Sequence, residues 1–287
     1  MRVIRWTRAD GRVTAGVAIL GTFALLGLLA PLVVPADPVA QPDVLGGRFL
    51  APLSVGADGV RHWLGTDEFG RDVFTRLVYG ARISLAVGAL AITVSILLGA
   101  AVGVAAAATG GRVERALMAV TDAALAMPRL VLLLALVTLW HQSMTLVILV
   151  LGLTGWMGVA RLTRAEVKGV LAQPYVEAAR AAGVGTPRAL LRHVLPNALT
   201  PLIVASALGV GNAIMLEAGL SFLGLGIPAP APSWGNMIAS GRDALVNAPW
   251  VATFPGIAVV LAVVACNLIG DGIQDVLDPK IGGRMSG

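Results

Sequence analysis

Long runs without a charged residue alternate with short polar stretches along the whole chain, and the lengths of those runs set the architecture. Residues 13–34 contain 22 positions free of Asp, Glu, Lys and Arg, behind a basic start that carries Arg2, Arg5, Arg8 and Arg12. At about 1.5 Å per helical residue such a run crosses a hydrocarbon core of about 30 Å. A cleavable signal peptide has a shorter apolar region of roughly 7–15 residues, so this run is read as an uncleaved first span. Residues 83–111 give a second uncharged run. Residues 116–160 are too many for one helix and are divided into a third and a fourth span, with His141, Gln142 and Ser143 as the turn. Residues 197–215 and 244–270 supply the fifth and sixth. The expected fold is an all-α integral membrane protein with six transmembrane helices.

The polar stretches carry the candidate chemistry. Residues 35–82, punctuated by Pro35, Pro38, Pro42 and Pro52, form an extracytoplasmic segment. Its last part places Arg71, Asp72, Arg76 and Arg82 on an interfacial helix, with Phe74, Leu77, Val78 and Tyr79 on the apolar side. Taken singly, these residues read as a solvated lead-in. Arg112, Glu114 and Arg115 mark a short loop. The third span holds Asp122, Pro128 and Arg129; an ionisable group inside a span is a functional candidate, and Pro128 kinks the helix. Asp122 is close enough to the loop to reach the interface. Arg129 is deeper, and either lines a pathway or pairs with a carboxylate or carbonyl at a subunit contact. Glu217, near the membrane face opposite Asn197, completes a set of three candidate pathway or contact residues. Residues 217–242 are too rich in Gly and Pro for one regular helix, and Trp234 and Trp250 suit an interfacial belt. Gly99 and Gly103 have the spacing that lets two membrane helices approach closely, a weak signal in a chain with 35 glycines.

Residues 161–196 are the longest polar interruption in the C-terminal half. Pro174 suits a first helical turn. A short helix over 175–182 follows, with Glu177 at its positive end and Gly183 ending it. Thr186 and Pro187 start a second helix that runs to about Leu195 and stops at Pro196. Glu177-Ala178-Ala179, Gly183 and Leu195-Pro196 together resemble the cytoplasmic EAA loop of ABC importer permeases, with His193 where isoleucine is usual. The stretch from Leu64 to Leu85, the loop after Glu217, and the tail from Gly270 to Lys280 resemble the peptide and nickel group of these permeases, specifically its second permease component.

That resemblance implies a subunit forming the translocation pathway for dipeptides or oligopeptides, with nickel chelates and haem-like ligands as further members of the substrate range. It implies a homologous permease partner, two ATP-binding subunits, an extracytoplasmic substrate-binding protein, and ATP and Mg on the partner subunits. It also implies that Glu177, Ala178, Ala179, Gly183, Leu195 and Pro196 dock this chain on the ATPases.

Composition agrees with the spans. Hydrophobic residues make up 57% of the 287 positions and charged residues 13%, against roughly 25% charge in soluble domains. If both termini are cytoplasmic, fourteen of the 21 basic residues fall on that side, which is the positive-inside pattern and favours N-in and C-in. The basicity carries no clustered aromatic platform for nucleic acid. Lys168 and Lys280 are the only lysines and neither stands in a G-x-x-x-x-G-K-[ST] loop, so this chain holds no ATP by that route and carries no catalytic constellation or cofactor of its own. Asp271, Asp275 and Asp278 share a helix face and read as solvated carboxylates. The bacterial plasma membrane is the expected location. A stand-alone secondary transporter or channel is the alternative, for which intramembrane charge chains are the signature.

Overall fold

The computed structural model describes residues 11–41, 43–57, 59–198 and 200–277. In chain order the helices and strands are α1 (Gly11–Leu28), α2 (Ala30–Val33), β1 (Ser54–Val55), β2 (Arg61–His62), α3 (Val73–Thr109) and α4 (Gly111–Leu125). There follow α5 (Arg129–Val137), α6 (Met144–Leu171), α7 (Pro174–Ala181), α8 (Thr186–Ala189), α9 (Leu195–Ala198), α10 (Thr200–Phe222), α11 (Trp234–Gly241) and α12 (Trp250–Leu277). Among the described residues five helical stretches are long and apolar enough to cross a membrane, and the pair α4 and α5 makes a sixth if it is taken as one broken span.

The central element is α3, whose 37 residues pack against α6, α10 and α1. It is longer than the uncharged run because Asp72 starts it early: the Asp72 carboxylate accepts from Thr75 N and Thr75 Oγ1, both at 2.7 Å. The expected interfacial helix and the second span are therefore one rod. Small residues let α6 lie against it. A Cβ on Gly99 would stand 2.6 Å from Trp156 O, and one on Gly103 2.5 Å from Ala160 O. The weak G-x-x-x-G signal thus marks a real helix seam. On the other side α10 packs on α3 and α12, and α1 lies along α12.

Two expectations need correction. The third span is broken: α4 and α5 meet at 84° across residues 126–128. Pro128 caps α5 in an extended conformation (ψ 118°), so the chain turns a corner where a kink was expected. Residues 112–115 are the first turn of α4, not a loop. The turn at residues 141–143 does fall where expected, with Ser143 Oγ accepting from Leu146 N at 3.1 Å to cap α6.

Residues 35–82 fold rather than drape. Ser54 pairs with His62 in the small β1–β2 hairpin. Behind it Asp67 accepts from Phe69 N, Arg71 N and Arg71 Nε, the last at 2.7 Å, and Arg76 Nε stands 3.6 Å away. Asp67, Arg71 and Arg76 are all buried, so the solvated lead-in is replaced by an internal ion network. Arg76 also donates to Pro38 O at 3.0 Å and to Pro230 O at 3.5 Å, fastening this segment to the loop before α11.

Candidate functional site

The two short helices of residues 174–196 are anchored from beneath and bare above. Val176, Val194 and Ala198 are buried in one apolar cluster with Ala107 of α3 and Val167 of α6. On the opposite side of α7, Glu177 and Ala178 are exposed and Ala179 is half-buried. Gly183 takes φ +85°, a conformation open to glycine and costly to residues with a Cβ. Val184 N then donates to Ala179 O at 3.1 Å, closing α7. Leu195 is half-buried, and Pro196 is exposed.

Beyond Gly183 the second helix differs from the expectation. Pro196 does not stop it. Leu190–Val194 forms a π-helical turn in which Leu195 N donates to Leu190 O, five residues back, and the helical path runs on through Pro196 into α9. Proline lacks the N–H that an α-helical register would use, and a wider turn just ahead of it absorbs the mismatch. The Thr186, Pro187 and His193 side chains lie outside the described residues.

Glu114 reaches this region unannounced by the sequence. Its Oε1 accepts from Arg164 Nε at 2.6 Å and from Lys168 Nζ at 2.7 Å. The last turns of α6, which lead directly into α7, are thereby tied to the first turn of α4.

The three candidate pathway or contact residues are not brought together. Asp122 is exposed and stands 3.8 Å from exposed Arg161, a weak surface pair. Arg129, at the start of α5, donates through Nη2 to Leu151 O at 3.3 Å, the carbonyl alternative foreseen for it, but within this chain rather than at a subunit contact. Its Nε is buried without a partner. Glu217 is fully enclosed by this chain's own helices. Ser221 and Ser233 hydroxyls donate to its Oε1 at 2.8 and 3.0 Å, and Ser84 Oγ lies 3.4 Å from Oε2. Ser84 Oγ also accepts from Trp234 N at 3.1 Å. One carboxyl group thus joins α3, α10 and the start of α11.

The Gly- and Pro-rich segment accordingly packs around Glu217. Trp234 is wholly buried, donates through Nε1 to Leu77 O at 3.0 Å and meets Phe23 edge-on at 5.1 Å. Trp250 Nε1 donates to Thr66 O at 3.1 Å. Both tryptophans serve internal contacts in place of the expected belt. Asp275 pairs with Arg12 at 3.4 Å, and Asp278 lies outside the described residues. Of these features, Glu217 with Ser221 and Asp67 with Arg71, each four residues apart, were readable from spacing; the partners of Glu114 lie 50 and 54 residues away.

Comparison with known proteins fits this architecture. Residues 95–283 match the family described as binding-protein-dependent transport system inner membrane component. The dipeptide transport system permease protein DppC of Alkalihalophilus pseudofirmus is 37% identical over 93% of this chain and 85% of its own length. The di/tripeptide permease protein DppC of Pseudomonas aeruginosa is 40% identical over 93% of this chain and 87% of its own. The oligopeptide permease protein OppC of Bacillus subtilis is 39% identical over 77% of this chain and 72% of its own. Among solved structures, an inward-facing MetNI methionine ABC transporter chain superposes with TM-score 0.60 at 19% identity, over 71% of this chain and 97% of that one. A second, an amino acid ABC transporter, gives 0.55 at 16% identity over 70% of this chain and 94% of that one. The structural neighbours establish the fold, and the sequence relatives are permease components rather than ATPases. This chain belongs to the binding-protein-dependent transport system inner membrane components, and is a multi-pass protein of the bacterial inner membrane.

Proposed function

We propose that the chain is a translocating permease subunit of an ATP-driven peptide importer. It works beside a homologous permease, takes cargo from an extracytoplasmic binding protein, and is driven by two ATPase subunits that hold ATP and Mg. The peptide assignment rests on relatives of about 40% identity named for dipeptide and oligopeptide transport. Both termini and residues 161–196 lie on the cytoplasmic side in this reading, as the positive-inside distribution favours.

The observation that carries the coupling role is the two-sidedness of α7. Val176 is fixed in the apolar cluster at the inner ends of α3 and α6, while Glu177 and Ala178 are exposed. Small side chains there admit close seating in a groove of the ATPase. Gly183 holds the turn behind it, and α6 carries displacement into the bundle. Closure of the ATPase dimer then moves a rigid lever, and the bundle exchanges between inward-open and outward-open arrangements. Both arrangements belong to one two-state element biased by nucleotide and cargo. No covalent step is assigned to this chain.

The test is peptide uptake by cells carrying Glu177→Lys, Gly183→Leu, or both, with membrane insertion checked by protease protection. Uptake is expected to fall to background while the protein stays inserted. Normal uptake by a stably inserted double variant would remove the docking assignment.

A further inference from the structure

The break between α4 and α5 leaves a cation inside the bundle with too few acceptors. Arg129 begins α5 and reaches toward α6. Leu151 and Gly155, its neighbours there, lie about 10 and 16 Å along α6 from Met144, and Gly155 is about 24 Å from Leu171 at the other end. That depth is the middle of a membrane-spanning helix, where a guanidinium is costly unless paired. Among the described residues Arg129 forms no ion pair, and its contacts are the single carbonyl of Leu151 and a buried, unpartnered Nε.

The guanidinium borders a cavity of about 290 Å³ between α3, α6 and α10. The volume is near the lower end of small-ligand sites, roughly 300–1,000 Å³. Its walls are kept back by small residues. A Cβ on Gly155 would collide with Ser95 Oγ and stand 3.1 Å from Arg129 Nη2, and Gly158 has nothing within 4 Å of where its Cβ would be. Polar groups on its walls are sparse. Ser95 Oγ donates to Gly152 O at 2.9 Å and keeps its lone pairs, and Asn212 lines the wall from α10.

Resting on the peptide-importer reading, we infer that this cavity binds the C-terminal carboxylate of the peptide in transit, with Arg129 as its cation. Peptides of different sequence share only a charged terminus at each end and the amides between. A pathway that passes many of them gains from reading those shared groups. The planar fork of arginine suits a carboxylate, and Asn212 and Ser95 suit the adjacent amide. Gly158 leaves the side-chain region unfilled, so the site discriminates the terminus and not the residue that bears it.

The complete transporter, with both permeases, the ATPases and the binding protein, is reconstituted in vesicles. The probes are trialanine and trialanine amide, each supplied fully loaded on excess binding protein so that capture does not limit the rate. The wild type is expected to move the acid at least about tenfold faster than the amide, the scale of a lost charge-assisted contact. Arg129→Gln lowers the acid rate about tenfold and brings the ratio near one, while Arg129→Lys keeps the ratio within about threefold of wild type.

A wild-type complex that moves neither probe refutes the importer reading itself. Equal wild-type rates for acid and amide, or an R129Q ratio like wild type, refute only the carboxylate site. If R129Q separates the permease pair while R129K moves acid and amide equally, the guanidinium serves a carboxylate of the neighbouring permease, and the cargo site is overturned. If R129Q does not assemble at all, Gly158→Leu decides, since it fills the cavity from its bare wall: acid transport at the wild-type rate overturns the site.

Discussion

At the scale of single residues, polar side chains in this bundle act as joints. Glu217 is the clearest: three serine hydroxyls from three separate segments converge on one carboxyl group, and among the described residues no cation pairs with it. Glu217→Ala strands those hydroxyls in a dry site, and unsatisfied buried groups cost about 1–3 kcal/mol each. The variant is expected to lose several degrees of thermal stability in detergent. Glu217→Gln, which retains acceptor and shape, should lose less than half as much; equal losses would mean that volume and not hydrogen bonding holds the joint. The sequence flagged Glu217, Arg129 and Asp122 alike, because an ionisable residue in an apolar run stands out whatever its surroundings. It could not separate an enclosed clasp from a cavity cation or a surface charge, since partners such as Ser84 and Glu217 are 133 positions apart.

At the scale of elements, helices were legible and their joints were not. Apolar run length located α1, α10 and α12 within several residues, α6 runs eleven residues past the expected end at Ala160, and Ser143 marked its turn through ordinary capping chemistry. The start of α3 ran ten residues ahead of the uncharged run because Asp72 caps it and Arg76, in its first turn, is buried by tertiary contacts with Pro38 and Pro230 that no local pattern contains. Pro128 announced a disturbance, but its 84° size depends on α5 packing against α6. The α3–α6 seam gives a sharp contrast. Gly99→Leu and Gly103→Leu push side chains into backbone carbonyls and should abolish accumulation in the membrane, overpacking costing about 1–3 kcal/mol or more. Gly169→Ala, with open space at its Cβ, should accumulate normally. Comparable loss in all three would show that composition, not the close approach, sets tolerance. Glu114 is the joint between α4 and the lead-in to α7. Glu114→Gln, which weakens its hold on Arg164 and Lys168, should speed amide exchange over residues 161–171 without altering exchange in α12; unchanged exchange would mean that packing alone fixes that end of α6.

At the scale of the whole molecule, the chain is a helical bundle with the short helix α7 seated at one end and a cavity bordered by Arg129 near its middle. The family was legible in the sequence because the motif that carries the resemblance is local: Glu177, Ala178, Ala179, Gly183 and Leu195-Pro196 lie within twenty residues, and their backbone needs are printed in their types. The anchoring of that loop by Val176 and Val194 was not legible, as it requires Ala107 and Val167 from two other helices. Whether the exposed face of α7 meets the ATPase, as proposed, is read directly by cross-linking. Cys266, the only cysteine, is buried and is replaced by serine; a thiol is then introduced by Ala178→Cys or Val176→Cys and fitted with a photoactivated cross-linker in the intact complex. Ala178→Cys should yield a covalent adduct with the ATP-binding subunit, and Val176→Cys, shielded in the cluster, should yield almost none. An Ala178→Cys protein that assembles and transports yet forms no adduct with that subunit would contradict the account.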